Sequence, residues 1–141
     1  MSGPHQIDPG LVTMIADYME KGFLENIIDM FRHDYKLYGL VGELIQDERV
    51  SVRIGVTALM EELSLLDAHY VRDAVSHLLP LLNHDNPVVR GDVSNILGII
   101  ADETVLPFLE RGLNDDSPDV TLIIREAIEE IKRRPKRPSL S

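Results

Sequence analysis

The sequence predicts an all-α chain: a right-handed α-solenoid (an α-α superhelix) of about three helical hairpins behind an N-terminal helical cap. Three observations carry that expectation. Within residues 81–102, Asn86 followed by Pro87 marks a helix start, because Asn accepts from orphan backbone N–H groups and Pro tolerates the first helical position. Val89, Val93, Ile96, Leu97 and Ile100 then fall on one face of a 3.6-residue period. The same frame fits Val52, Val56, Leu59, Met60 and Leu63, which begin 37 residues earlier, and Val120, Ile124, Ala127, Ile128 and Ile131, which begin 31 residues later. Upstream of each turn the frame also holds: Tyr38, Val41 and Ile45 match Val75, Leu78 and Leu82, and then Leu106, Leu109 and Leu113. One hairpin cannot bury its apolar face alone, so a repeat of this period implies stacking.

Taken in order, residues 1–7 are expected to be disordered. Asp8 and Pro9 give a cap and first turn, and Leu11, Ile15, Tyr18 and Met19 form an apolar stripe ending near Gly22. A second stripe, Phe23, Leu24, Ile27, Ile28 and Phe31, follows at once. The two helices of 8–34 fit the repeat frame poorly and suit a terminal cap that shields the end of the core. Met14, Phe23, Met30 and Phe31 are more apolar surface than a cap requires, so a homodimer contact through these helices stays open as a second reading. The three repeats span 35–64, 67–101 and 103–132. Gly39 and Gly42 in the first cost helix stability, about 1 kcal/mol each relative to Ala, which close helix approach would justify. Pro80 should kink or tighten the last turn of its helix, while Pro107 sits early in a helix capped by Asp102. After Ile131 the chain reads KRRPKRPSLS, where Pro135 and Pro138 stop the helix, so 133–141 is expected to be a basic, disordered tail.

At 141 residues the chain is one domain's worth, with 44% apolar residues and no apolar run near the ~20 residues of a membrane span. The start MSGPHQIDPG lacks the charged and apolar regions of a secretory signal. There are no cysteines, which removes disulfides, thiolate metal sites and cysteine nucleophiles. A cytoplasmic protein is the expectation. Net charge is −10, but residues 1–131 carry 9 basic and 24 acidic side chains, whereas 132–141 carry five basic and no acidic ones. An acidic body disfavours phosphate backbones, so nucleic acid is not expected as a partner.

In residues 78–90, Leu78, Leu82, Asp85, Pro87, Val89 and Arg90 stand in a pattern that resembles the HEAT repeat, especially the short prokaryotic variety named after its occurrence in phycobilisome lyases. The third repeat keeps Leu113, Asp116, Pro118 and Val120 but has Thr121 at the Arg position; the first keeps Val52 and Arg53 with Glu48 and Val50 at the Asp and Pro positions. The resemblance covers roughly 35–132 and implies fold far more than activity, since such scaffolds host many functions.

Candidate chemistry is sparse. His69, Asp73 and His77 share a helix face, but an i, i+8 pair is about 12 Å apart by helix rise, too far for one ion. The di-iron hydroxylases of HEAT type carry several His-Glu pairs; this chain has His33–Asp34 and His84–Asp85 and no His-Glu pair. No chromophore pocket of a lyase is marked, and no phosphate loop or nucleophile motif stands out. No catalytic residue, metal or cofactor is assigned. Arg53 and Arg90 recur at one frame position, either as anion clamps or as a structural ladder with Glu48, Asp85 and Asp116 between successive turns.

The resemblance places the second helices of the hairpins on the concave side. Opposite their apolar stripes lie Ile54, Thr57, Ala58 and Glu61, then Gly91, Ser94, Asn95 and Gly98, then Leu122, Arg125, Glu126 and Glu129. A merely solvated face should carry Lys, Glu and Arg, and small uncharged residues let another backbone approach. The expectation is therefore a non-enzymatic adaptor binding a helix or extended peptide of a protein partner, with a basic partner segment favoured by the acidic body. The alternatives are a metal-dependent or lyase-type enzyme using turn histidines, an accessory subunit, or a groove filled by the chain's own tail or a second copy.

Overall fold

The second helix of every hairpin is one continuous α-helix, and the first never is. In a computed structural model, which describes residues 9–135, the continuous helices are α4 (Val50–Leu66), α7 (Pro87–Ile100) and α9 (Pro118–Arg133). The first helices are assembled from α and 3-10 pieces. Tyr35–Leu40 is 3-10 before α3 (Val41–Leu44); α5 (Ala68–Val71) and α6 (Val75–Leu78) alternate with 3-10 turns at Arg72–Ala74 and Leu79–Asn83; α8 (Leu106–Arg111) lies between Glu103–Val105 and Gly112–Asn114. The expectation of regular helices here is corrected by local chemistry. Asp34 and Asp102 accept from Lys36 and Thr104 N–H and start tight turns, while Pro80 and Pro107 stand near element starts, where a missing N–H costs little. Among the described residues there is no strand.

All fifteen stripe residues of the three second helices are buried in one continuous core, joined by Tyr38, Val41, Ile45, Leu78 and Leu109 from the first helices. Burying a side chain of Leu or Ile size contributes about 1.5–3 kcal/mol, so this stripe is the main source of stability. Gly39 and Gly42 face α6: a Cβ at Gly42 would lie 2.7 Å from the His77 carbonyl oxygen. These glycines thus let the first two hairpins close against each other.

The N-terminal pair, α1 (Pro9–Glu20) and α2 (Leu24–His33), packs on α4 and on the first hairpin's leading turn. Ile15, Met19, Ile27 and Phe31 are buried there. Gly22, at φ 86°, ends α1 with a Schellman pair, Gly22 N–H to Met19 O at 3.1 Å and Phe23 N–H to Tyr18 O at 3.0 Å. The Phe23 ring meets Tyr18 edge-on at 5.7 Å, the apolar contact that accompanies this motif, so Phe23 has a local partner. The sequence-based assignments to 1–7 and to 136–141 lie outside the described residues. No helix among the described residues is long and apolar enough to cross a membrane.

Candidate partner-binding face

The turn between the helices of each hairpin sets the start of the second helix, and the same device is used three times. Asp47, His84 and Asp115 occupy one frame position, and each accepts the backbone N–H two residues on: Arg49 at 2.9 Å, Asn86 at 3.0 Å and Ser117 at 2.9 Å. His84 does so through Nδ1, which leaves Nε2 to donate to Gln46 Oε1 at 3.1 Å. The imidazole replaces an aspartate in an Asx-type turn. Of the expected ladder acids Glu48, Asp85 and Asp116, the first two are corrected, because neither carboxylate bonds an arginine of the ladder. Glu48 and Asp85 supply main-chain carbonyls instead: Arg53 donates to the carbonyls of Asp47 and Glu48, both at 2.9 Å, and Arg90 to those of His84 and Asp85, at 2.8 and 3.1 Å. Asp116 meets Arg90 only at 3.4 Å with an exposed carboxylate.

Between hairpins the arginines reach carboxylates. Arg53 pairs with Asp92 at 3.2 Å, and Arg90 takes Asp115 in a bidentate grip at 2.8 and 3.0 Å. Arg49, not singled out from sequence, ties α4 to the cap through Asp17 at 2.9 Å and Glu20 at 3.2 Å. The Arg90 guanidinium holds the Asp115 carboxyl below the usual carboxylate range, and Arg49 does the same for Asp47. Asp92 is pushed up instead, because burial outweighs its Arg53 partner. These pairs fasten the stack and engage both Arg53 and Arg90.

The residues expected to line a groove divide into exposed and buried ones. Glu61, Asn95 and Arg125 are exposed, and Ile54 and Leu122 are 64% and 52% exposed despite being large aliphatics. Gly91, Ser94 and Gly98 are buried, which corrects their placement on an open surface. They form the seat of α9: a Cβ at Gly91 would lie 3.1 Å from Ile123 Cδ1, and one at Gly98 would lie 2.9 Å from Ala127 Cβ. The hydroxyls of Thr57 and Ser94, at one frame position, both donate back to the carbonyl four residues earlier, at 3.1 and 2.7 Å. Neither is turned toward a partner.

What remains is a surface marked by two exposed aliphatic knobs. Ile54 and Leu122 hold one frame position on α4 and α9, and Gly91 holds it on α7 between them. With helices 8–10 Å apart, the two aliphatic knobs stand about 20 Å from each other. Val88, 48% exposed, and Leu65, 79% exposed, extend the apolar strip; both were passed over in the sequence because neither lies in a repeating stripe. Acidic side chains border it: Glu61 and Glu62 on α4, Asp92 on α7, and Asp119, Glu126 and Glu129 on α9.

The opposite layer carries a cleft of about 620 Å³ lined by Val12, Tyr35, Gly39, Asp73 and His77. Beneath it Tyr38 is fully buried, its hydroxyl has no hydrogen-bond partner, and burial pushes its pKa far above the ordinary range, so it stays neutral. The histidines are dispersed: His33 bonds the Asp29 carbonyl at 2.7 Å, His84 closes its turn, and His77 packs by Gly39. Among the described residues no three His, Asp or Glu side chains are gathered to hold a metal ion.

Neither a curated protein nor a solved structure matches the chain. The family model for HEAT repeats matches residues 38–130, two thirds of the chain, beginning at the buried Tyr38 and leaving the α1–α2 pair outside. Together with three stacked hairpins fastened by a repeated arginine, that match makes the chain a member of the HEAT-repeat family.

Proposed function

We propose that the protein is a non-catalytic interaction module of the cytoplasm that docks a helix or extended segment of a protein partner across α4, α7 and α9. The observation that carries this is the frame position shared by Ile54 and Leu122: on α4 and α9 it holds a large aliphatic side chain that is more than half exposed. Exposed aliphatics of this size normally pack, and a helix or extended segment lying across the second helices would cover both. The acidic border favours a partner segment with Lys or Arg, through faster encounter and rejection of acidic competitors. Within the family, this reading takes residues 78–90 to resemble the short phycobilisome-lyase-type repeats, a likeness that brings no lyase chemistry with it. The α1–α2 pair serves in this reading as a cap, since Phe31 is buried and Phe23 rests on Tyr18.

The test is an affinity capture with the wild type beside an Ile54→Glu, Leu122→Glu double variant. Both positions are exposed, so helicity and melting temperature should be unchanged. A partner captured by the wild type and lost by the variant is the expected result. The same partner held equally by both would move the docking surface elsewhere.

A further inference from the structure

Among the three hairpins, only the first puts a polar atom at the frame position of Tyr38. The counterparts, Val75 and Leu106, carry none, and the Tyr38 ring packs edge-on against Phe31 at 5.3 Å, a contact that needs no hydroxyl. The side chain is fully buried, and its hydroxyl has no hydrogen-bond partner among the described residues. An unpaired buried hydroxyl is unfavourable, and phenylalanine would fill the same space without one. Asp67, just before α5, repeats the pattern: Oδ1 lies 3.6 Å from Arg32 Nε, while Oδ2 is buried with no partner.

Tyr38 also belongs to the wall of the cleft of about 620 Å³ in the layer of first helices. That volume falls among the roughly 300–1,000 Å³ of small-molecule pockets. The charged side chains of the wall are Lys36 against two carboxylates, Glu43 and Asp73, with His77 beside them. This negative balance reaches the hydroxyl. After burial, the Asp67 carboxylate does most to hold the phenol neutral, Tyr35 and Asp73 act in the same direction, and Arg32 opposes them. A neutral phenol oxygen accepts an N–H bond, so both orphaned atoms are acceptors set in a negative field.

We propose that this cleft is a binding site for a small organic cation, a primary amine or guanidine with a short apolar body, whose N–H groups bond the Tyr38 oxygen and the Asp73 carboxylate. The apolar body lies along Val12 and the Tyr35 ring, which is 45% exposed and backed by Tyr70 stacked at 3.7 Å. Gly39, also in the wall, adds no side chain; a Cβ there would come within 3.5 Å of the His77 ring. The site lies on the layer opposite Ile54 and Leu122, and the proposal does not rest on the docking reading.

The chain has four tyrosines and no tryptophan, and Tyr35, Tyr38 and Tyr70 stand at or beside the cleft, so tyrosine emission reports binding even when Tyr38 is replaced. The full-length protein is titrated at constant ionic strength with pentylamine and, separately, with pentanol, which has the same body without the charge. The expected result is a saturable change with pentylamine, about tenfold tighter than with pentanol, because charge-assisted bonds are the stronger ones. Tyr38→Phe and Asp73→Asn should each weaken pentylamine binding about tenfold. Tyr38→Phe also carries its own folding control: if the hydroxyl serves a ligand and not the fold, the melting temperature of the free protein stays equal or rises. The proposal is overturned by a lack of saturable binding, by equal affinity for amine and alcohol, or by binding indifferent to both variants. A lowered melting temperature in Tyr38→Phe would overturn it too, by assigning the hydroxyl to the fold itself.

Discussion

Helices α7 and α9 share a repeat frame and differ in how they are covered. α7 lies between α4 and α9 and leaves few side chains, such as Val88 and Asn95, in solvent. α9 has a neighbouring second helix on one side only and exposes Asp119, Leu122, Arg125, Glu126, Glu129 and Glu130. At the frame positions where α9 carries Leu122, Arg125 and Glu129, α7 carries Gly91, Ser94 and Gly98. The difference teaches that a central repeat helix is selected by neighbours on two sides, and a terminal one by a neighbour and water. Small uncharged residues in the middle of a stack are there for helix packing; the open face must be sought where large side chains are exposed.

The largest test of that comparison uses one frame position. Gly98→Ala places a methyl 2.9 Å from Ala127 Cβ and 3.0 Å from its Cα, atoms that move only with the α9 backbone. Overpacking of this kind costs about 1–3 kcal/mol and should lower the urea midpoint accordingly. Glu129→Ala, at the equivalent and exposed position of α9, should change stability by less than about 0.5 kcal/mol. Equal effects at the two positions would break the distinction between a sandwiched and a terminal helix.

Arg90 gives a second, smaller difference. It joins the turns of the second and third hairpins, whereas the Thr121 hydroxyl, at the same position of α9, donates to the Pro118 carbonyl within its own helix. Arg90→Ala should lower the denaturation midpoint and Thr121→Ala should not. The pH dependence sharpens this. Asp115 has its folded pKa depressed by Arg90, so its contribution is present above the unfolded value of about 3.9 and is lost as pH falls through the lower folded value. The gap between wild type and Arg90→Ala should therefore be full at neutral pH and narrow below about pH 4. A constant gap across that window would mean that the Arg90 bonds to the His84 and Asp85 carbonyls carry the whole effect.

Much of the fold is legible in the sequence because a 3.6-residue apolar period records burial directly: every stripe residue of the three second helices, from Val52 to Ile131, is inside. The turns were read one residue late. Asp115 and Asp116 are adjacent, and His84 stands where an aspartate would, so only Asp85 looked like the turn acid until the imidazole was seen accepting from Asn86. The face opposite the stripe is less legible still, since a helical wheel separates core from non-core but not solvent from a second helix. The signal was present: Gly91, Ser94 and Gly98 are spaced three and four residues apart, the pattern of a seam along which two helices approach closely. Ile54 and Leu122 were found by the same wheel, because terminal and near-terminal helices do turn that face outward.

The smallest expected effect divides α7 against itself. Gly91 and Gly98 both face α9, two turns apart, but they meet different atoms. A methyl at Gly91 would stand 3.1 Å from Ile123 Cδ1, the far end of a flexible, half-buried side chain, with no α9 backbone atom within 4 Å. Replacing Gly by Ala inside a helix gains about 1 kcal/mol of propensity, and a shift of one methyl by a few tenths of an ångström consumes part of it. Gly91→Ala should therefore be neutral or slightly stabilising, within about 0.5 kcal/mol of the wild type, beside a clear loss for Gly98→Ala. Thermal melts of the two variants in parallel decide it. A loss at Gly91 as large as at Gly98 would mean that the α7–α9 seam is rigid along its whole length.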